Sequence, residues 1–384
     1  MSGLGRVERS ALAATALSTV LAGVARYAPG VSQVLAFALA TLALAGQAWV
    51  VSFATEQVGR RLGPALTGFM QSTVGNLPEF FVVIFALGAG QRIVAETAIL
   101  GSILVNALLV LGLVIIAGAR RADDRVMRFS PRLPNDTATL LLVSTFIIVL
   151  IGLANSAHDP ASHHTKMISI VGAVAILVVY ASWLRQYLRP DANPGPQGDQ
   201  PSPEQPHPDQ PSAEQPSAHR PATPDPDAEQ PRLPARASIA LLAVAGTASA
   251  FVSDWFVHAL QPTIHTLHVS QAFAGLVIVA IAGNAVENVA GIVLAAKGRS
   301  ELAISVVKNS VAQIAAFLYP LLVLVSLLTA TTLTFSLAPV YIGALFGSAV
   351  IVWQITGDGE ATAFEGAALI ATFVILATVA AFET

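Results

Sequence analysis

Apolar segments, each about as long as a membrane-spanning helix, recur along the whole chain and limit its possible folds more than any other feature. The hydrocarbon core of a bilayer is about 30 Å thick, which an α-helix crosses in roughly 20 residues. Hydrophobic residues make up 54% of the chain and charged residues only 11%. We therefore predict an all-α integral membrane protein surrounded by a lipid bilayer. Its eleven predicted transmembrane segments are 11–27, 33–55, 65–89, 93–118, 136–155, 166–188, 237–260, 270–296, 301–328, 337–356 and 361–382.

The residue types present exclude several classes of function. The chain has no cysteine, which excludes disulfides, thiolate metal sites and thiol nucleophiles. It has no HExxH zinc pair and no GxSxG serine motif, so an intramembrane hydrolase is not expected. No basic stripe with interleaved aromatic residues occurs, so nucleic acid is not an expected partner. These observations favour a transporter over an enzyme, and we expect no cofactor.

The first apolar segment has two possible interpretations. Arg6 and Arg9 precede an apolar run from Ala11 to about Ala25, a pattern shared by signal peptides and membrane helices. A second apolar segment follows after a short break, and no soluble domain comes after it. We therefore interpret residues 1–30 as an extra N-terminal transmembrane helix.

A polar, proline-rich stretch divides the chain. Residues 190–236 consist mainly of Pro, Gln, Asp, Glu and Ser, in loose repeats such as QPSPEQP and QPSAEQP. Such a segment cannot bury an apolar core, so we predict a disordered cytoplasmic linker. It separates a first unit of five helices, 31–189, from a second unit of five helices, 237–384.

The basic residues indicate the orientation in the membrane. If the amino terminus is cytoplasmic, only Arg26, Arg92 and Lys166 lie on the opposite side. Because cytoplasmic loops collect Arg and Lys, we predict that the N-terminus is inside and the C-terminus outside, in a bacterial cytoplasmic membrane. The cytoplasmic side would contain Arg6, Arg9, Arg60, Arg61, Arg120, Arg121, Arg125, Arg128, Arg132, Arg185, Arg189, the linker arginines, Lys297 and Arg299.

Two apolar segments carry the same polar motif. The third segment contains GNLPE at 75–79 and the eighth contains GNAVE at 283–287, 208 residues later. The same offset maps Ser102 of the fourth segment onto Ser310 of the ninth. Five segments separate each matched pair, so the second copy crosses the membrane in the opposite direction. This pattern predicts two inverted five-helix repeats, as in many secondary transporters.

The repeated motif places a carboxylate inside the membrane twice, at Glu79 and Glu287. A charged group near the bilayer centre costs about 2.5–3.5 kcal/mol even on lenient scales, so two of them require a reason. Asn and Glu three residues apart project from one helical face, and Asn76 and Asn284 thus add amide oxygens. Hard oxygen ligands suit Ca2+.

Proton exchange follows from the same pair of carboxylates. Without a cation, mutual repulsion and burial favour their protonated forms, and cation binding then requires proton release. We predict that Gly75, Pro78 and Gly283 break their helices there, with Pro78 opening a kink and a spare carbonyl near Val74. The glycines would also allow close helix approach. The alternative is that both glutamates are protonated and only hold helices together.

Further motifs surround these signatures. Together they resemble the Ca2+/H+ antiporter branch of the cation/Ca2+ exchanger superfamily, whose members carry a Gly-Asn-x-x-Glu signature in each of two inverted repeats. The resemblance covers nearly the whole chain outside the linker. The supporting residues are Ala54-Thr55-Glu56, Gly63-Pro64, Ile99–Leu104, Asn106, Ser253-Asp254, Ala295-Ala296-Lys297, Gln313, Asp358-Gly359 and Glu365-Gly366.

The resemblance implies a site and a mechanism. Glu79 and Glu287 would be the central ligands for the metal and for protons, and Ca2+ and H+ would be substrates exchanged by alternating access. Glu56 and Asp254 would belong to access pathways, or would be interfacial charges near helix ends. The residues implied to line the site are Asn76, Asn284, Ser102, Asn106, Ser310 and Gln313.

Three positions depart from the family pattern. Asn288 stands where the antiporters commonly have His, and Asn309 where a glycine is expected. Lys308 replaces an apolar residue; we interpret it as pointing away from the site and extending toward an interface. If it faced the site instead, Na+ or K+ would be favoured over Ca2+. Exchange of Na+ or K+ for H+ therefore stays open as an alternative, as does a passive cation channel.

Overall fold

The protein is a bundle of long apolar helices. A computed structural model describes residues 4–59, 61, 70, 74–187 and 232–383. A 3-10 turn, Pro160–His164, precedes α6. The helices are α1 Arg6–Tyr27, α2 Gln33–Gly59, α3 Leu77–Gly88, α4 Arg92–Arg121, α5 Arg132–Ser156, α6 Thr165–Tyr187, α7 Ala235–Leu267, α8 Gln271–Gly283, α9 Ala285–Ala296, α10 Ser300–Leu328, α11 Pro339–Thr356 and α12 Ala363–Ala381.

The lengths of these helices confirm an integral membrane protein. In the described part of the chain, nine helices are long and apolar enough to cross a bilayer. The bent pair α8 and α9 raises this number to ten, and α3 is a shorter apolar helix. The predicted count of eleven is not confirmed, because the third predicted segment is described mainly from residue 74 onward.

Two parts of the sequence interpretation fall outside the described residues. Most of the predicted disordered linker, 190–231, is one of them, and Gly63-Pro64 is the other. The described chain resumes at Arg232, and α7 begins at Ala235, two residues before the predicted start of its segment.

The backbone repeats with the offset that the sequence motifs define. Helices α3 and α9 are both 12 residues long and begin 208 residues apart. Each is followed by a left-handed glycine, Gly90 with φ of 73° and Gly298 with φ of 77°. Helices α4 and α10 then contain π-helical segments at Val105–Val110 and Ile314–Leu318. The division into two inverted five-helix repeats stays a prediction that this correspondence supports.

The structure contains one small two-stranded β-sheet that the all-α prediction did not include. Strand β1, Val126–Arg128, pairs antiparallel with β2, Glu360–Thr362. Arg128 lies 3.1 Å from Glu360 and 2.6 Å from Asp124, and the guanidinium lowers the pKa of the Asp124 carboxyl, chiefly through their hydrogen bond. Strands of three residues are too short to give a periodic sequence signal. The sheet joins the α4–α5 connection to the α11–α12 connection.

A capping box fixes the start of α12. The Thr362 hydroxyl accepts a hydrogen bond from the Glu365 amide, and the Glu365 carboxylate accepts one from the Thr362 amide at 2.7 Å. Thr362→Ala removes this cap, so we expect the free energy of unfolding to fall by about 1 kcal/mol, measured by denaturation in detergent. The control, Thr372→Ala, removes a hydroxyl that bonds only to Ala368 within the same helix, and should change stability by less than about 0.5 kcal/mol. Equal losses in both variants would contradict the capping role.

Helices α4 and α8 approach each other until their backbones touch. A Cβ atom on Gly101 would lie 2.6 Å from the Cα atom of Leu276, and one on Gly275 would lie 2.8 Å from the carbonyl oxygen of Val94. Real Cβ contacts of this length are essentially never seen, so each position requires glycine. This contact joins the first half of the bundle to the second and brings Ser102 close to Asn284.

Candidate functional site

The second copy of the repeated motif interrupts a helix at its asparagine, and in the first copy a helix begins directly after the asparagine. Helix α8 ends at Gly283, Asn284 has φ of −104° and ψ of 12°, and α9 begins at Ala285 after a 60° bend. Asn76 has almost the same conformation, with φ of −88° and ψ of 12°, just before α3. The two asparagines therefore occupy N-cap positions. The sequence interpretation had instead placed each of them within a continuous helix.

Two reasons given for the helix-breaking residues need correction. Pro78 lies in the first turn of α3, where a missing N–H costs nothing, so it does not kink a helix interior. Its carbonyl oxygen accepts a hydrogen bond from Ser253 Oγ at 3.2 Å, and the spare carbonyl near Val74 stays a prediction. A Cβ on Gly283 would meet nothing within 4 Å, so that glycine does not serve close helix packing.

The break places the motif carboxylates at helix N-termini. Glu79 is the third residue of α3 and only 3% exposed. Glu287 is the third residue of α9 by backbone position, but its side chain lies outside what the structure describes. The unpaired N–H groups of a helix N-terminus favour negative charge. This position lowers the cost of holding Glu79 inside the membrane.

Polar side chains from both halves meet beside the contact between α4 and α8. Asn284 Nδ2 donates to Ser102 Oγ at 3.0 Å and to the Ala280 carbonyl at 3.1 Å. Asn106 Nδ2 donates to the Ser102 carbonyl at 2.9 Å. Ser102, Asn106 and Asn284 are at most 3% exposed. Three of the predicted site residues therefore form one buried cluster across the two halves.

Several buried oxygens have no hydrogen-bond partner among the described residues. Two belong to predicted site residues, Asn106 Oδ1 and Ser310 Oγ. Others, among them Thr55 Oγ1, Asn288 Oδ1 and Asn309 Oδ1, were not predicted as ligands. An unsatisfied buried acceptor costs about 1–3 kcal/mol, and a cation is one partner that would offset this cost. Asn288 and Asn309 are two of the departures from the family pattern.

The remaining predicted residues differ in exposure. Asn76 and Gln313 are buried, at 6% and 9% exposure; Gln313 and Ser310 form no hydrogen bond with the cluster of Ser102, Asn106 and Asn284 in the described structure. Of the two possible pathway residues, Glu56 is half-buried on α2 and Asp254 is exposed on α7. Among the described side chains, no three His, Asp or Glu groups converge to hold a metal.

The predicted extension of Lys308 toward an interface is contradicted by the structure, whereas its direction relative to the site stays a prediction. We expected its ammonium to extend toward an interface, but the side chain is only 2% exposed. It forms no ion pair in the described part of the chain, and Ser310 follows two positions later on α10. A buried basic side chain is thus present on the same helix as a predicted site residue.

Comparison with known proteins gives the family. Residues 32–185 and 237–382 match the model of the sodium/calcium exchanger protein family. The vacuolar calcium ion transporter of Schizosaccharomyces pombe is 30% identical over 347 residues, covering 88% of this chain and 77% of that protein. The Ca2+/H+ antiporter ChaA of Bacillus subtilis is 25% identical, covering 89% and 90%. The solved structure of native YfkE matches with a TM-score of 0.72 at 23% identity, covering 96% and 97%. The chain belongs to the sodium/calcium exchanger protein family.

Proposed function

We propose that this protein is a secondary antiporter that exchanges Ca2+ for H+ by alternating access to one central site. The observation that carries the proposal is the buried hydrogen bond between Ser102 and Asn284, which joins α4 of the first half to the second copy of the motif. Glu79, the carboxylate of the first copy, is buried in the first turn of α3. The relatives named as calcium transporters and Ca2+/H+ antiporters support the same choice of substrates.

The exchange rests on competition for the carboxylates of Glu79 and Glu287. Burial and mutual repulsion disfavour two charged carboxylates in an empty site, so the empty site takes up protons. A divalent cation needs both carboxylates in their charged form, and its arrival therefore releases protons. When the site opens to the other side of the membrane, the reverse replacement completes the cycle. No covalent step is required.

Neutral oxygens would complete the coordination of Ca2+. This ion takes six to eight oxygen ligands in irregular geometry, more than two carboxylates supply. The buried, unpartnered oxygens Asn106 Oδ1 and Ser310 Oγ are suited to this role, as are the amides of Asn76 and Asn284. We propose this set, together with Gln313, as the lining of the site.

The placement in the cell follows from the basic residues. We propose that the amino terminus faces the cytoplasm of a bacterial cell and the carboxyl terminus faces outside. The contact between β1 and β2 supports a shared side for residues 126–128 and 360–362, as expected from the six predicted segments, an even number, that separate them.

A second candidate, exchange of Na+ or K+ for H+, is favoured by buried Lys308. The Coulomb repulsion between a fixed positive charge and a bound ion grows with the charge of the ion. A Lys308 ammonium close to the bound ion would therefore disfavour a divalent ion more than a monovalent one.

We expect Lys308→Leu to strengthen apparent Ca2+ affinity by about three- to tenfold, because it removes a buried positive charge and keeps an apolar side chain of similar bulk. The measurement is the Ca2+ concentration that gives half-maximal exchange in liposomes. Lys297→Leu is the matched control, since Lys297 is exposed at the end of α9 and should leave the affinity unchanged. A weaker Ca2+ affinity in Lys308→Leu would show that the lysine supports the site.

The proposed function is tested with purified protein in liposomes under an imposed pH gradient, with Ca2+, Na+ and K+ fluxes measured separately. We expect Ca2+ to move against its own gradient, driven by protons. Movement only down the cation gradient would indicate a channel, and Na+ or K+ flux without Ca2+ flux would establish the second candidate.

A further inference from the structure

A polar cavity lies where α1 turns into α2, against the side of α7. It has a volume of about 230 Å³, and its lining includes Arg26 of α1, Gln33 of α2, and Trp255 and His258 of α7. No Asp or Glu lines it. The cavity is remote in sequence from both copies of the repeated motif and involves α1, the helix outside the predicted repeats.

Two hydrogen-bond donors at this cavity have no acceptor. Arg26 Nε and Trp255 Nε1 are both buried, and neither has a hydrogen-bond partner in the described structure. Neither group can act as an acceptor, and leaving a buried donor unpaired is costly. A bound group with acceptor oxygens would satisfy both donors.

The described residues around Arg26 supply neither a hydrogen-bond acceptor for Nε nor a carboxylate for its positive charge. Its position in the last turn of α1 is favourable for a positive charge, and the guanidinium carbon lies 5.3 Å from the centre of the Tyr27 ring. Neither interaction supplies an acceptor to Nε. Within the described residues Arg26 forms no ion pair, so its charge is available to an anion.

The indole of Trp255 is held in a fixed position. A Cβ on Gly23 would lie 2.9 Å from Trp255 Cη2, so the ring packs directly on the backbone of α1. Tyr27 meets the same ring edge-on, with centroids 6.4 Å apart. The N–H is therefore oriented before any ligand arrives, which reduces the entropic cost of binding.

The cavity also lies at a membrane boundary, because α1 ends at Tyr27 and α2 begins at Gln33. Tyr27 is 72% exposed there, as is common for aromatic residues at the level of the lipid headgroups. The amide oxygen and nitrogen of Gln33 and the imidazole of His258 add further polar groups to the cavity.

We propose that this cavity binds a phosphate-type oxyanion, either the phosphodiester of an anionic lipid headgroup or free phosphate. The planar guanidinium of Arg26 donates to two phosphate oxygens, and Trp255 Nε1 donates to a third. Since the cavity is shared by three helices, occupancy ties α1 to α2 and α7 and raises the thermal stability of the protein.

The test measures thermal unfolding in a neutral detergent, with three additives titrated at constant ionic strength: short-chain phosphatidylglycerol, the diacylglycerol with the same chains, and inorganic phosphate. The variants are Arg26→Gln and Trp255→Phe. The second variant keeps an aromatic ring at this position but removes the N–H. Lys166→Gln is the control, since it removes an exposed positive charge at the start of α6, a helix that does not line the cavity.

We expect saturable stabilisation of the wild type and of Lys166→Gln by a phosphate-bearing additive, and none by diacylglycerol. Arg26→Gln should raise the half-maximal concentration by about tenfold or more, and Trp255→Phe by about three- to tenfold. Stabilisation by phosphatidylglycerol alone identifies a lipid headgroup, whereas stabilisation by inorganic phosphate as well identifies a site for the free anion. The proposal is overturned if no additive stabilises the wild type, or if Arg26→Gln responds as the wild type does.

Discussion

Glu79→Gln is expected to reduce proton-driven Ca2+ transport to the rate of protein-free liposomes. The buried carboxylate would be both a ligand of the cation and a carrier of the exchanged proton, and glutamine can serve as neither a charged ligand nor a proton acceptor. Losing a charged partner of this kind weakens binding by about 10- to 100-fold, and losing the proton site uncouples the exchange. Glu287→Gln should have the same effect.

The control for these variants is Glu360→Gln, in strand β2, whose exposed carboxylate pairs with Arg128. It makes the same chemical change outside the membrane, and we expect near-normal transport. Thermal unfolding of each variant shows whether the bundle is intact. Normal coupled exchange in a well-folded Glu79→Gln protein would assign Glu79 to helix packing alone.

The second large effect is expected at Gly101, where α4 touches α8. A Cβ added there would lie 2.6 Å from the Cα atom of Leu276, and a backbone cannot move aside as a flexible side chain can. We expect Gly101→Ala to lower the free energy of unfolding by about 3 kcal/mol or more, at the upper end of overpacking effects. The measurement is thermal or denaturant unfolding in detergent.

Gly343→Ala on α11 is the matched control. A Cβ at this position would meet nothing within 4 Å, and Ala is favoured over Gly in a helix by up to about 1 kcal/mol. We therefore expect unchanged or slightly higher stability. If Gly101→Ala proved as stable as Gly343→Ala, the result would contradict the close approach of α4 and α8. It would also contradict the hydrogen bond between Ser102 and Asn284, which depends on that approach.

The sequence predicted most helices because bilayer thickness alone sets their length. Runs such as those in α2 and α4 are continuous and apolar, and pairs of arginines, Arg60-Arg61 and Arg120-Arg121, mark their carboxyl-terminal ends. The strands β1 and β2 could not be predicted, because three residues carry no periodicity. The two strands pair because the packing of the helices brings the α4–α5 connection next to the α11–α12 connection, which is far away in the sequence.

The residues of the candidate site could be proposed from the sequence, but their local geometry could not. The duplicated motif identified Glu79, and the offset of 208 residues matched Ser102 with Ser310. The helix break at Asn284 depends on backbone angles that the letters GNAVE do not specify. The burial of Lys308 depends on neighbouring helices, since a long side chain can extend in several directions.

The most direct test of the central claim is the number of protons released when Ca2+ binds. Calorimetric titration of the purified protein with Ca2+, in two buffers with different ionisation enthalpies, gives this number without any transport step. We predict the release of at least one proton per Ca2+ near neutral pH, and a smaller number in Glu79→Gln if that variant still binds the ion. Ca2+ binding with no proton release would contradict a site in which the ion and the protons compete for the same carboxylates.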